Sequence, residues 1–124
     1  MIALLLQDRC TGCQRCVQVC PAAVFEPTAR GTPPLIAHAA DCQTCFGCEL
    51  YCEADALYVE PDVNQLVSVD EAVVQASGLL GVYRRHSGWH EFADDPRYPN
   101  LQHRMEEVFA RGRAAAAAVA AQKA

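Results

Sequence analysis

The sequence predicts an α+β fold: a small head built as a pseudo-two-fold repeat, followed by a mostly helical and irregular C-terminal extension. Two cysteine runs predict the repeat. Cys10, Cys13, Cys16 and Cys20 stand at C-x2-C-x2-C-x3-C spacing, Cys42, Cys45, Cys48 and Cys52 repeat it, and together they use all eight cysteines of the chain. The offset from Cys10 to Cys42 equals that from Cys20 to Cys52, which marks a tandem repeat. Short apolar runs flanking each set supply the strands. A cysteine-free remainder, with apolar residues at helical spacing, supplies the extension.

In chain order, Ile2 to Leu6 is an aliphatic run expected to form a buried strand. Asp8 and Arg9 turn the chain into the first cysteine loop, where Gly12, without a Cβ, lets the backbone approach a bound group or serves as a turn residue. Residues 15–20 have room for about one helical turn, which Pro21 ends. That turn carries Cys20 away from the three cysteines before it. Val24 and Phe25 make a short strand closed by Pro27, and Thr28 to Pro34 is a Gly/Pro turn region. Leu35 to Ala37 is the counterpart of Ile2 to Leu6, and Asp41 leads into the second run. Ala56 to Glu60, closed by Pro61, matches Val24 to Pro27. Phe25 and Tyr58 are apolar bodies that pack the head or shield its metal groups from water.

The head is expected over residues 1–61 and the extension over 62–124. Ser68 to Glu71 has the S-x-x-E form of a capping box, and Val69, Ala72, Val73, Ala76 and Leu80 follow at helical spacing. A helix is expected over about 69–80, ended near Gly78 or Gly81. Tyr83 to Asn100 is rich in aromatics and broken by Gly88, Pro96 and Pro99, so it folds over the head or lies on another protein. Arg84, Arg85 and Arg97 beside those aromatics give it the composition of an interface. Asn100 is expected to cap a last helix over about 101–120, with Leu101, Met105, Val108 and Phe109 on one face. Ala114 to Ala121 prolongs that helix with little to bury.

Three closely spaced thiolates and a remote fourth, with Pro21 after the first run, suit the corners of an iron–sulfur cubane. Zinc, which closes with paired C-x2-C knuckles, is the alternative. On these motifs, residues 1–61 resemble the bacterial two-[4Fe-4S] ferredoxin family. The resemblance implies a ferredoxin-like sandwich of two short hairpin-like sheets and two short helices over two [4Fe-4S] clusters. It further implies that Cys10, Cys13, Cys16 and Cys52 hold one cluster and Cys42, Cys45, Cys48 and Cys20 the other. One departure stands out: Cys52 is followed by Glu53 where the family has Pro, and a nearby carboxylate would lower the potential of the first cluster.

The formal net charge is -5, and each oxidised cubane with four thiolates adds roughly two negative charges, so the head is a poor partner for nucleic acid. Ile2 to Leu6 has no basic segment before it and is shorter than a signal-peptide core. No stretch is long enough to span a bilayer, and the thiol content then points to a reducing cytoplasm. His38, His86, His90 and His103 lack metal-ligand spacing, and no nucleophile–base pair or phosphate loop is visible, so no catalytic residue is expected. The expected role is electron transfer. The layout of head plus extension also resembles the small iron–sulfur subunits of fumarate reductase and adenylylsulfate reductase type complexes. That implies an FAD-binding catalytic partner docked by Tyr83 to Phe109, with FAD on the partner and not on this chain. A freely diffusing low-potential ferredoxin and a metal-dependent regulatory or interaction module are the alternatives.

Overall fold

The computed structural model describes residues 1–100 and 102–123. Its head is α+β, with two short sheets and two short helices. The strands are β1 (Ile2–Leu5), β2 (Phe25–Glu26), β3 (Leu35–Ile36) and β4 (Leu57–Val59), and the helices are α1 (Arg15–Val19) and α2 (Gly47–Tyr51). β1 pairs antiparallel with β4, setting Ile2 opposite Val59, Leu4 opposite Tyr58 and Leu5 opposite Leu57, with a bulge between Ile2 and Leu4. β2 pairs antiparallel with β3, setting Phe25 opposite Ile36. Each sheet therefore takes one strand from each cysteine repeat, and α1 packs against α2.

The repeat is visible in the backbone itself. Gly12, Gln14 and Ala23 in the first half have φ of 71°, 63° and 52°, and their counterparts Thr44, Phe46 and Asp55 have 55°, 60° and 52°. The same three left-handed corners bend both cysteine loops, the other five residues being held in a conformation that Gly12 adopts without strain. At Gly12 the lack of a side chain is a packing need as well. A Cβ there would lie 2.3 Å from the backbone of Gly31 and Thr32, because the 28–34 turn is laid directly on the first loop.

Residue alternation along β1 gives the first sheet two buried faces. Ile2, Val24, Phe25, Leu57 and Val59 form an inner core against which the cysteines pack. On the outer face, Leu6 is fully buried with Val74 and Leu80, flanked by Leu4, Tyr58 and Val69. Burying each of these aliphatic side chains contributes about 1.5–3 kcal/mol. The extension thus begins as a layer of the head, because Val74 and Leu80 cover what would otherwise be an exposed aliphatic face.

α3 (Glu71–Ser77) is shorter than the span expected, and its cap differs. The Asp70 carboxylate accepts the Val73 N–H at 3.1 Å, and the helix ends at Gly78 with φ 76°. An Asp closer to the first turn displaces Ser68 as the cap, since it satisfies the same orphan donor with a full charge. The shifted start also turns the helix: Val74 is buried, whereas Val73, expected on the apolar face, is 66 % exposed. α4 (Val82–His86) follows within the stretch read as irregular.

Residues 87–100 then run as turns, a 3-10 turn spans Gln102–Arg104, and α5 covers Met105–Lys123. The expected apolar face of this last helix includes Leu101, which lies outside the described residues. Val108, Phe109 and Val119 are about half exposed, and described α5 residues from Glu106 on are solvent-facing. Among the described residues no helix is long and apolar enough to cross a membrane.

Candidate functional site

The cysteine loops are held open by left-handed corners and closed by the sheets, so each run presents its thiols from one side. Cys10, Cys13 and Cys16 of the first run line a cavity of about 310 Å³ together with Cys52 of the second. A smaller cavity gathers Cys42, Cys45 and Cys48 with Cys20. α1 and α2 produce this exchange, since each carries the last cysteine of its run across to the other loop. Phe25 lines the second cavity, whereas Tyr58 lies on the outer face of the sheet, its hydroxyl donating to Glu60 at 2.9 Å.

Backbone N–H groups point at the sulfurs at equivalent places in the two halves. Gly12 donates to Cys10 Sγ at 3.3 Å and Thr44 to Cys42 Sγ at 3.4 Å. Val24 donates to Cys20 Sγ at 3.4 Å and Ala56 to Cys52 Sγ at 3.3 Å. Ile2 adds a donor to Cys42 Sγ at 3.2 Å. Such N–H groups favour thiolate over thiol, as metal ligation requires.

Burial opposes that charge. It pushes the Cys16 thiol up to about 12, with Cys52, Cys13 and Cys10 adding repulsion. Burial likewise raises Cys48 well above the ordinary thiol range, with Glu49 and neighbouring cysteines adding to it, and raises Cys52 against the pull of the Ala56 and Ala54 N–H groups. Several mutually repelling, desolvated thiolates are stable together only around a cationic core, so the donor set fits a bound metal group. The quartets surround a space, and Thr44 Oγ1 beside the second run is buried without a partner among the described residues.

Three side chains that the sequence did not single out support the loops. Gln14 donates from Nε2 to Thr28 Oγ1 at 3.0 Å and to Thr32 O at 2.7 Å, and accepts from the Thr28 N–H, tying the first loop to the 28–34 turn. Glu49 on α2 accepts the Val59 N–H at 2.8 Å, and burial holds its carboxyl up to about 7. Asp55 receives the extension: Arg84 donates to Oδ1 from Nε at 3.2 Å and Nη2 at 3.0 Å, and Arg85 to Oδ2 at 2.8 Å. The repeat offers a signal for two of them, because Glu49 and Asp55 stand where the first half has Val17 and Ala23. Glu53, where the first half has Pro21, is exposed at the wall of the first cavity. His38 is exposed and is not among the residues lining either cavity.

Part of the stretch expected to dock a partner is engaged on the head. Tyr83 lies 5.0 Å from Phe46, and Tyr51 meets Trp89 at 5.1 Å and His103 at 5.7 Å. Tyr51 also donates its hydroxyl to Asn100. Arg84 and Arg85 are on Asp55, and Arg97 is paired with Asp95 at 2.7 Å. These contacts answer one alternative left open by the sequence: Tyr83, Arg84, Arg85, Trp89, Asn100 and His103 all lie on their own head. Phe92, Tyr98 and the α5 residues Val108 and Phe109 stay about half exposed, and Tyr83 is still 42 % exposed.

Residues 9–57 match the 4Fe-4S dicluster domain family, which spans both cysteine runs. The head is therefore an iron–sulfur domain of the 4Fe-4S electron-transfer kind. The chain is also similar to the putative oxidoreductase AegA of Escherichia coli (strain K12), at 29 % identity over 129 residues covering 94 % of this chain. It spans 18 % of that relative's length. No solved structure matches significantly.

Proposed function

We propose that the chain is the electron-transfer component of an oxidoreductase complex, with a ferredoxin-like head over residues 1–61 holding two [4Fe-4S] clusters. Cys10, Cys13, Cys16 and Cys52 hold the first, and Cys42, Cys45, Cys48 and Cys20 the second. The observation that carries this ligand set is the composition of the two cavities, each lined by three cysteines of one run and the last of the other. A bound cluster supplies one-electron storage. The chain supplies thiolate donors, N–H groups aimed at their sulfurs, and an aliphatic core that keeps water from them. No residue of the described chain is assigned a bond-making role.

The extension belongs to the same proposal. Its first part covers the head and its last helix stays open, which suits a chain that hands electrons to a fixed neighbour through α5. In support, similarity to the putative oxidoreductase covers the extension as well as the head, inside a much longer polypeptide. The neighbour is proposed to be a flavoprotein carrying FAD.

Reduced full-length protein mixed with its copurifying partner tests this. The flavin absorbance of the partner should bleach in step with cluster reoxidation, and a chain ending at Arg104 should lose most of that rate while keeping its clusters. A partner without flavin would end the flavoprotein reading. Equal rates with and without α5 would end docking in favour of a freely diffusing carrier.

A further inference from the structure

The segment 89–100 and the head enclose an open cleft of about 660 Å³ beside the first quartet. Two aromatic pairs line it, Tyr51 with Trp89 edge-on at 5.1 Å and Phe92 with Tyr98 tilted at 5.0 Å. Phe92 and Tyr98 remain 53 % and 55 % exposed; the Arg97 guanidinium already lies over the Tyr98 ring, 5.3 Å from its centroid, which leaves Phe92 as the more open aromatic of the pair. The volume falls within the ~300–1,000 Å³ typical of small-molecule sites, and an aromatic wall with a few charges is the usual lining of one.

Position and charge narrow the ligand. Arg15, Tyr51 and Glu53 line both this cleft and the cavity of Cys10, Cys13, Cys16 and Cys52, so the same side chains form the wall between them. Glu53 and Asp94 face the cleft outside any ion pair among the described residues, whereas the charge of Asp95 is met by Arg97. Arg15 stands against these two carboxylates, His90 also lines the wall with its ring 3.3 Å from the Arg84 guanidinium, and the aromatic faces add negative potential of their own. We propose that this cleft binds a flat nitrogen-heteroaromatic ring of the pyridinium class, cationic or neutral, and rejects anionic rings. A ring held there stacks on Phe92 or Trp89, beside the Tyr98 face that Arg97 takes, and lies against the wall of the first quartet. Only the purpose of the site, electron exchange with that quartet, rests on the function proposed above.

Trp89 is the one tryptophan of the chain and lies in the cleft wall, which makes it a built-in reporter. Full-length, cluster-loaded, oxidised protein is titrated with a bipyridinium dication, with anthraquinone sulfonate as the anionic planar control and argininamide as the non-aromatic cation. Tryptophan emission and isothermal calorimetry are both read. The expected result is saturable binding of the bipyridinium, weakened about threefold to tenfold by Phe92→Ala and by Asp94→Asn, with the anionic ring at least about tenfold weaker. Both side chains are exposed, and an unchanged cluster absorption spectrum checks that the variants fold. Quenching that never saturates, or that ignores both variants, would overturn the proposal. Argininamide binding as tightly as the bipyridinium would overturn it too, giving the cleft to a basic side chain of a protein partner. Saturable binding to a protein whose clusters accept no electron would sink the electron-transfer reading and leave the site standing.

Discussion

Asp55 holds Arg84 through two hydrogen bonds to one carboxylate oxygen, 3.2 Å and 3.0 Å long, and thereby clamps the extension three residues past Cys52. The pair is largely shielded, with side chains 15 % and 17 % exposed, and Arg85 adds a third bond from the more exposed side. Asp55 reaches the arginines from a left-handed corner of φ 52°, the conformation that Ala23 repeats in the other half without a side chain to offer.

Asp55→Asn is therefore expected to loosen the extension at a cost of about 1–2 kcal/mol, since Asn tolerates the same backbone corner and only the charge is removed. Limited proteolysis should show faster cleavage within residues 79–100, with cluster content unchanged. Cleavage at the rate of the parent protein would mean that the clamp does not hold the extension.

Gly12→Ala should compromise the first site. The new Cβ would meet the backbone of Gly31 and Thr32 at 2.3 Å, and both are chain atoms that a rotamer change cannot move. Gly31→Ala is the control: its φ is 94° but open space surrounds it, so the cost is the backbone term alone, about 1–2 kcal/mol. Iron content after anaerobic reconstitution should fall in the first variant and hold in the second. Equal loss in both would remove the contact from the explanation.

Cys20→Ser should disturb the second cluster before the first, and Cys52→Ser the first before the second. Electron paramagnetic resonance of each reduced variant separates the two signals. Loss of the first signal on replacing Cys20 would mean that each run serves its own cluster.

Glu53→Gln should raise the potential of the first cluster, on the order of tens of millivolts, by removing a carboxylate from the cavity wall. The parent protein should show two distinct midpoints in a redox titration. Identical midpoints would dispose of the asymmetry.

The cysteine chemistry and the head's elements were legible because both depend on local sequence: fixed thiol spacing, short aliphatic runs, and Pro21 stopping a helix. The sheet pairing was not, because β1 pairs with β4 from the far end of the head, not with a neighbour in a hairpin. The extension was less legible because its structure depends on what it covers. Val74 is buried rather than Val73 because it packs on Leu6 at the end of β1 together with Leu80 of the extension, and Asp70 caps α3 because it lies one residue before the first turn. The Asp55 clamp joins residues 29 positions apart through a fold-back that no local pattern encodes. Aromatics at Tyr83 and Trp89 read equally well as partner contacts, and only Phe46 just before α2 and Tyr51 at its end decide their place.

The outer-face packing also changes how the extension is removed. Truncation after Pro61 would strip Val74 and Leu80 from Leu6 and expose the sheet, so any loss of function would report on folding. A chain ending at Arg104 keeps that face covered and removes only solvent-facing helix. Its stability should match the parent's within about 0.5 kcal/mol in anaerobic urea unfolding.

The most direct test is an anaerobic reductive titration of the reconstituted chain, with iron and sulfide counted and reduction followed by electron paramagnetic resonance. The account predicts two [4Fe-4S] clusters per chain, each accepting one electron reversibly. Zinc bound at each quartet, or iron that accepts no electron, would contradict it.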